Sequence, residues 1–202
     1  MSNSAEALDT RAFRNALGNF PTGVTVMTAH SEEHGLAGVT ANSFSSVSLD
    51  PPLILWSIGK DSTSLKVFQA ATHFAVNVLS AEQKDLSNHF AQRSTEKFDG
   101  MAFEVGAGGS PILPNTAASF ECEVFECVEG GDHWIMLGRV LKFTDTGSAP
   151  LVFHKGQYSS LAPFQTTAKS QTPRSILVPQ DWPARLCCLR LVRESHSSLQ
   201  FH

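Results

Sequence analysis

What this chain lacks narrows it early. No run of 18 apolar residues occurs anywhere in its 202 residues, so no segment is long and oily enough to cross a bilayer as a helix. The first ten residues, MSNSAEALDT, have neither the basic nor the apolar region of a leader, which points to a cytoplasmic protein. Cysteine is sparse: Cys122, Cys127, Cys187 and Cys188 form no C-x-x-C pair, and reduced thiols are the expectation. The eight histidines are scattered, with no two at i, i+4 on a helical pattern and none beside a cysteine at zinc spacing, so no metal site is expected. Positive charge is also short. A formal net charge of −4 argues against nucleic acid or an anionic membrane as the main partner. Catalytic signatures are missing too: there is no G-x-S-x-G elbow, no Walker A loop and no G-x-G-x-x-G after a first strand, which leaves acyl transfer, P-loop chemistry and Rossmann-type nucleotide binding without support.

What is present suits an ordinary globular core, with 42% apolar and 17% charged residues. LDTRAFRNALGNFPTG predicts a short amphipathic helix, with Phe13, Leu17 and Phe20 on one side, Asp9 or Thr10 as N-cap, and Gly18 and Pro21 ending it. Residues 24–29 read as a β-branched strand, HSEEHGLAG as a hairpin connection, LILWSI as a buried strand, SLKVFQAA as a short helix and FAVNVLS as another strand. In SAEQKDLSNHFAQR, Ser80 and Gln83 have the spacing of a capping box ahead of a helix with Leu86 and Phe90 on its apolar side. The Gly- and Pro-rich stretch 98–115 predicts a long irregular connection. ASFECEVFEC and HWIMLGRVLKF flank EGGD as a hairpin, and PLVFHKGQY closes the set. Six or seven strands joined mostly by hairpins, with two or three short helices, favour an antiparallel barrel with peripheral helices over a doubly wound sheet.

The chemistry-bearing residues are mostly neutral. GVTANSFSSVSLDPP (38–52) contains five hydroxyls and one amide. Read as one extended strand, it places Thr40, Asn42, Phe44, Ser46 and Ser48 on one face and Val39, Ala41, Ser43, Ser45, Val47 and Leu49 on the other. A face of hydroxyls and an amide can hydrogen-bond a polar heteroaromatic ring or a phosphate without adding charge; an ordinary solvent-facing strand has the same pattern. SIGKDSTSLKVF brings Ser62, Thr63 and Ser64 to the start of a helix beside Lys60, where a phosphate is favoured, although Ser62 can equally serve as a simple cap. His133 opens the returning strand of the EGGD hairpin. It is either a positioned functional imidazole or a surface histidine beside a turn. Tyr158, the only tyrosine, reads as a barrel-end residue with its hydroxyl in water.

The blocks FRNALGNFPTGVTVMTA, GVTANSFSSVSLDPPLILWSI, FAVNVLS, FECEV, GDHWIMLGRV and PLVFHKGQY, in this order, resemble the short-chain flavin reductase family, the reductase components of two-component flavin-dependent monooxygenases. The resemblance covers roughly 13–161. It implies a mainly β, antiparallel FMN-binding split β-barrel of Greek-key-like form over residues 8–163. It implies a homodimer with flavin near the subunit interface, FMN or FAD as flavin, and NADH or NADPH as hydride donor. By position, Thr40, Ala41, Asn42, Ser43 and Phe44 would line the flavin with Ser46 and Ser57 close by, and Asp61, Ser62, Thr63 and Ser64 would approach its phosphate or pyrophosphate. Lys97 and Phe98 match a further flavin-contacting block. His133 resembles the histidine beside the nicotinamide, and Gly156, Gln157 and Tyr158 match a stretch near the pyridine nucleotide. The implied activity is NAD(P)H:flavin oxidoreduction that delivers reduced flavin to a partner monooxygenase. Two rivals stay open: a flavoprotein that keeps its flavin and reduces a corrinoid or metal complex, and a non-enzymatic flavin-binding protein. The resemblance does not reach the segment 164–202, whose five basic and two acidic residues make it a distinct extension of unassigned role.

Overall fold

The structure is a computed structural model that describes residues 8–162; the expectations for 164–202 lie outside the described residues. Five strands occur in the first third of the chain: β1 (Thr22–Gly23), β2 (Thr25–Ser31), β3 (Gly35–Ala41), β4 (Ser45–Leu49) and β5 (Pro52–Gly59). They are followed by β6 (His73–Val78), the short pair β7 (Glu104–Val105) and β8 (Pro111–Ile112), and the long pair β9 (Ala118–Gly130) and β10 (His133–Asp145). Two three-residue strands, β11 (Val152–His154) and β12 (Gln157–Ser159), end the set. The helices are α1 (Thr10–Leu17), α2 (Leu65–Ala70) and α3 (Lys84–Ala91).

Seven strands form one antiparallel sheet in the order β3-β2-β6-β9-β10-β5-β4. Its two edge strands, β3 and β4, are consecutive in the chain, so the connection at 42–44 must carry the chain from one edge of the sheet to the other. The sheet is thereby rolled into a barrel that is closed by this connection and not by a ladder. Its interior is filled from alternating positions, most clearly on β5, where Ile54, Trp56 and Ile58 are buried and their neighbours are not. Trp56 packs edge-on against Phe68 of α2 at 4.8 Å. A second apolar cluster, with Val24, Val26, Leu79 and Phe90, lies under α3.

The predicted hairpin of β9 and β10 is present with a two-residue turn, and Gly131 adopts the left-handed φ of +71° that such turns require. The strands pair over almost their full length, and β10 pairs on its other side with β5, which sets His133 opposite Gly59 at the end of β5. The predicted first helix is also present, capped by Asp9, whose carboxylate accepts the N–H groups of Arg11 (2.9 Å) and Ala12 (3.1 Å). Its apolar side is largely left uncovered by the described residues: Phe13 is 50% and Leu17 59% exposed.

Three expectations need correction. The stretch 38–52 is two strands on opposite edges of the sheet, so the alternation that put Thr40 and Ser46 on one face breaks at 42–44. The stretch 98–115 is not wholly irregular, because Glu104 and Val105 pair with Ile112 and Pro111 around a 3-10 turn. Helix α3 begins only at Lys84: the Gln83 amide does accept the Ser80 N–H (3.0 Å), but it also donates to the Pro114 carbonyl (2.8 Å), which holds it in a turn ahead of the helix.

Candidate functional site

Where β3 ends and the chain crosses to β4, the strand partners run out and side chains take over their role. Ser43 accepts the Ser57 N–H (2.9 Å) and donates to the Ser57 carbonyl (3.2 Å). One hydroxyl thus makes both bonds of a missing ladder rung and pins the crossing to β5. Beside this pin lies a cavity of about 360 Å³, lined by Thr40, Asn42, Ser57, Asp61, Ser62 and His133 among others, including Ala41 and Ser43. Seven of the residues expected at the flavin, and the histidine expected beside the nicotinamide, therefore meet around one cavity, from β3, the crossing, β5, the turn after it and the start of β10.

Their hydrogen-bonding capacity is unevenly committed. The Thr40 hydroxyl donates to the Ser87 carbonyl of α3 at 2.6 Å, so it keeps only lone pairs for a ligand. The Asn42 amide and the Ser57 hydroxyl have no partner among the described residues. Asp61 is paired with Arg93, so its carboxylate reaches the cavity with its charge offset. His133 Nδ1 lies 2.7 Å from Asp132 Oδ1. That hydrogen bond, and then the charge of the imidazole, hold the Asp132 carboxyl below its ordinary range. With Nδ1 held there, Nε2 is left on the cavity side, 3.7 Å from the point where a Gly59 Cβ would stand.

Two further cavities share residues with it, and a fourth does not. One of about 1180 Å³ shares Asn42 and Ser43 with the first and extends between the end of α1 and Gly156. A small one of about 180 Å³ joins Thr40, Ala41 and Asn42 to Tyr158. There the Tyr158 hydroxyl donates to Asn88 Oδ1 (2.9 Å) and lies 2.9 Å from the Ser87 hydroxyl. It is tied to α3, where the sequence had suggested a hydroxyl in water. Asn42 is the one residue common to all three. The fourth cavity, about 230 Å³, is lined by Thr63, Ser64, Lys97 and Phe98 together with His34 and Lys66.

Several expected residues are thus placed apart from the cradle. Phe44 turns into the barrel against Phe120 (5.8 Å between ring centres), and Ser46 lies exposed on β4. Gln157 is exposed on β12. Lys97 is 5% exposed, and its ammonium donates to the carbonyls of Phe90 (2.8 Å) and Gly38 (3.0 Å); burial holds its pKa below the ordinary lysine value. Phe98 packs edge-on against Phe90 and Phe103. The short helix α2 offers little to an anion, because the amides of Ser64 and Leu65 already point to the hydroxyl and carbonyl of Ser62. The residues that sequence reasoning passed over are Arg93, Ser87 and Asp132. Only Asp132 had a local signal, as the middle residue of GDH; the other two act on partners 32 and 47 residues away.

Neutral donors and acceptors around a cavity floored by Trp56 and Ile58 fit a flavin ring, which has both donor and acceptor edges. Comparison with known proteins agrees with that fit. The family described as flavin reductase like domain matches residues 17–162. The FMN reductase (NADH) SmoA of Agrobacterium fabrum is 48% identical over 150 residues, which is 74% of this chain and 85% of that protein. The reductase component of the flavin-dependent trigonelline monooxygenase of Acinetobacter baylyi is 43% identical over 162 residues. That match takes in 80% of this chain and 50% of the relative, so the chain spans about half of that protein's length. Among solved structures, the Streptomyces globisporus NADH:FAD oxidoreductase SgcE6, in complex with NAD and FAD fragments, has a TM-score of 0.72 at 39% identity, covering 79% of this chain and 99% of that one.

Proposed function

Because this chain belongs to the flavin reductase like domain family, we propose that it is an NAD(P)H:flavin oxidoreductase that supplies reduced flavin to a separate monooxygenase. The observation that carries the reading is the convergence of uncommitted neutral groups, the Asn42 amide and the Ser57 hydroxyl, on a cavity with His133 at its lip. A bound flavin would supply the acceptor for the hydride of a reduced nicotinamide.

The chain's own residues do three things. Asn42, Ser57 and the lone pairs of Thr40 hydrogen-bond the ring, and Ser43 keeps these groups in register by holding the crossing against β5. Asp61, paired with Arg93, comes to the cavity with its charge offset, so an anionic flavin meets little repulsion at that end. His133, oriented by Asp132, stands where a nicotinamide would stack and helps hold the two rings in a near-attack arrangement. No group in the cavity is required to take up a proton during hydride transfer. Neutral contacts also bind less tightly than charge-assisted ones, which suits a flavin that must leave once reduced. The chain works as a homodimer in the cytoplasm: Phe13 and Leu17 of α1 and Phe125 and Leu141 of the β9–β10 hairpin are exposed apolar surface that a second copy would cover. Among the described residues no helix is long and apolar enough to cross a membrane.

Stopped-flow oxidation of NADH and NADPH with added FMN, FAD or riboflavin tests the reading, and light scattering on the eluting protein tests the dimer. Oxidation that requires added flavin is the expected result. Turnover without added flavin would favour a retained cofactor, and no oxidation with any flavin would remove the reductase assignment.

A further inference from the structure

From the way α3 is joined to the cradle we infer that Ser87 is a positioning residue for flavin binding. Its carbonyl fixes Thr40 and its hydroxyl fixes Tyr158, two walls of the 180 Å³ cavity that also holds Asn42. The inference rests on the flavin reductase reading, since it takes this cavity as part of the flavin site.

The first ground is a mismatch between the residue and its helix. Ser87 is fully buried near the middle of α3. Alanine has the higher helix propensity and no polar group to bury, so the helix itself does not call for a serine. The hydroxyl does not bond back to its own helix either. Its partner among the described residues is the Tyr158 hydroxyl, 71 residues along the chain and 2.9 Å away.

The second ground is the direction of the hydrogen bonds. Tyr158 has one hydroxyl proton, and it goes to Asn88 Oδ1 (2.9 Å). In the other contact Ser87 is therefore the donor and the phenol oxygen the acceptor. The phenol is held between a donor and an acceptor on consecutive residues of one helix. The other polar groups of Ser87 are committed as well: its N–H donates to the Gln83 carbonyl (3.0 Å), and its carbonyl accepts from the Thr40 hydroxyl (2.6 Å).

The third ground is the face of the helix that carries these contacts. Lys84, Ser87, Asn88 and Ala91 recur at i, i+3, i+4 and i+7 and so share one side of α3. Lys84 Nζ stands 5.8 Å from the centre of the Tyr158 ring. Ser87 and Ala91 line the cavity together with Tyr158, Thr40, Ala41 and Asn42. Phe153 packs edge-on against the same tyrosine ring at 5.4 Å. While Leu86 and Phe90 serve the apolar cluster beneath α3, this second stripe sets how far β12 stands from the end of β3.

The test uses the full chain as wild type, Ser87→Ala, Tyr158→Phe and the double variant. FMN dissociation constants are read from flavin fluorescence at low temperature, and Tm of the flavin-free protein is recorded separately. Tyr158 is the only tyrosine, so a ring-13C tyrosine label gives its NMR signal alone. Each single substitution should raise the FMN dissociation constant by about fivefold, the value of one lost neutral hydrogen bond. The double variant should stay within about twofold of either single one, because both remove the same contact. In the wild type the Tyr158 signal should move when FMN is added. FMN affinity within about twofold of wild type in both single variants, whatever happens to Tm, would make Ser87 a purely structural serine and overturn the inference. So would losses that multiply in the double variant, or a Tyr158 signal that FMN leaves unmoved. If Ser87→Ala does not fold, Tyr158→Phe decides on the same threshold. A wild type that binds FMN but oxidises neither NADH nor NADPH would instead refute the reductase reading, and the FMN comparison would still stand.

Discussion

Replacing Lys97 by methionine separates a structural lysine from a flavin ligand. The side chain keeps its length and apolar stem and loses its ammonium. In the structure that ammonium holds two carbonyls from different elements. Phe90 lies in the last turn of α3, where carbonyls have no partner within the helix and a cation complements the dipole. Gly38 lies on β3, an edge strand of the sheet, whose outward carbonyls face no neighbouring strand. Gly38 also has to be a glycine, because a Cβ there would stand inside the Phe90 ring and 3.2 Å from Phe98. Lys97 thus fastens the end of α3 to β3, two residues before Thr40, whose own hydroxyl makes a second fastening at Ser87.

The magnitude is a difference of two effects. Lys97→Met leaves two buried carbonyls without a donor, at about 1–3 kcal/mol each, and removes an ammonium whose burial itself costs several kcal/mol before its hydrogen bonds are counted. The two effects partly cancel, leaving a net loss of about 1–3 kcal/mol, or a fall in Tm of about 2–12 °C for a chain of this size. Urea denaturation of the flavin-free protein should show it as a lower midpoint with unchanged slope, while FMN affinity at low temperature falls by less than about threefold. The pH dependence gives a second signature. The folded pKa of Lys97 lies below 10.5, so between the folded value and 10.5 the unfolded chain binds more protons and stability rises with pH. The wild type should gain stability across that window relative to Lys97→Met, because a neutral amine still donates two hydrogen bonds and no longer buries a charge. Wild-type stability in the variant, combined with a tenfold or greater loss of FMN affinity, would refute this account and make Lys97 a flavin contact.

Asn42→Leu should raise the FMN dissociation constant by about tenfold or more, the equivalent of one buried polar contact turned unfavourable, with Tm nearly constant; a fluorescence titration that finds native affinity would remove Asn42 from the cradle. His133→Ala should slow flavin reduction in stopped flow or raise KM for NADH, with FMN affinity within about twofold of wild type, and Asp132→Asn should follow it in the same direction to a smaller degree. Gly138→Ala would drive a Cβ into the Phe74 ring and to 3.0 Å from Cys122 Cβ, so thermal denaturation should show a loss of about 1–3 kcal/mol from overpacking, with no change in flavin specificity.

How far the sequence could carry these conclusions depends on where each residue's partner lies. The β9–β10 hairpin was legible because its signals are local: two β-branched and aromatic runs, and a glycine where a positive φ is needed. The Asp9 cap was legible for the same reason, since its two partners are two and three residues on. Lys97 and Thr40 were not. Their carbonyl partners at Gly38 and Ser87 are 59 and 47 residues distant, and no pattern along the chain records that a hydroxyl or an ammonium is already spent. Family resemblance could bring Lys97 to notice, but it could not show which atoms its ammonium meets.

The stretch 38–52 fails and succeeds for one physical reason. Period-2 alternation continues through 42–44, so the sequence reads as one strand, yet at that point the backbone leaves the sheet at one edge and re-enters at the other. Between the two edges no ladder forms, and Ser43 replaces a rung with side-chain bonds to both backbone groups of Ser57. Such a seam is the part of a barrel where polar groups are not consumed by strand pairing. Hydroxyls and an amide are needed there twice: some are spent within the protein, Ser43 on the seam and Thr40 on α3, and the remainder, Asn42 and Ser57, are left to a ligand. The excess of hydroxyls therefore marks the split in the barrel first and the proposed cradle second. Leucine at 43 should accordingly cost both stability and flavin affinity, whereas leucine at 42 should cost flavin affinity alone.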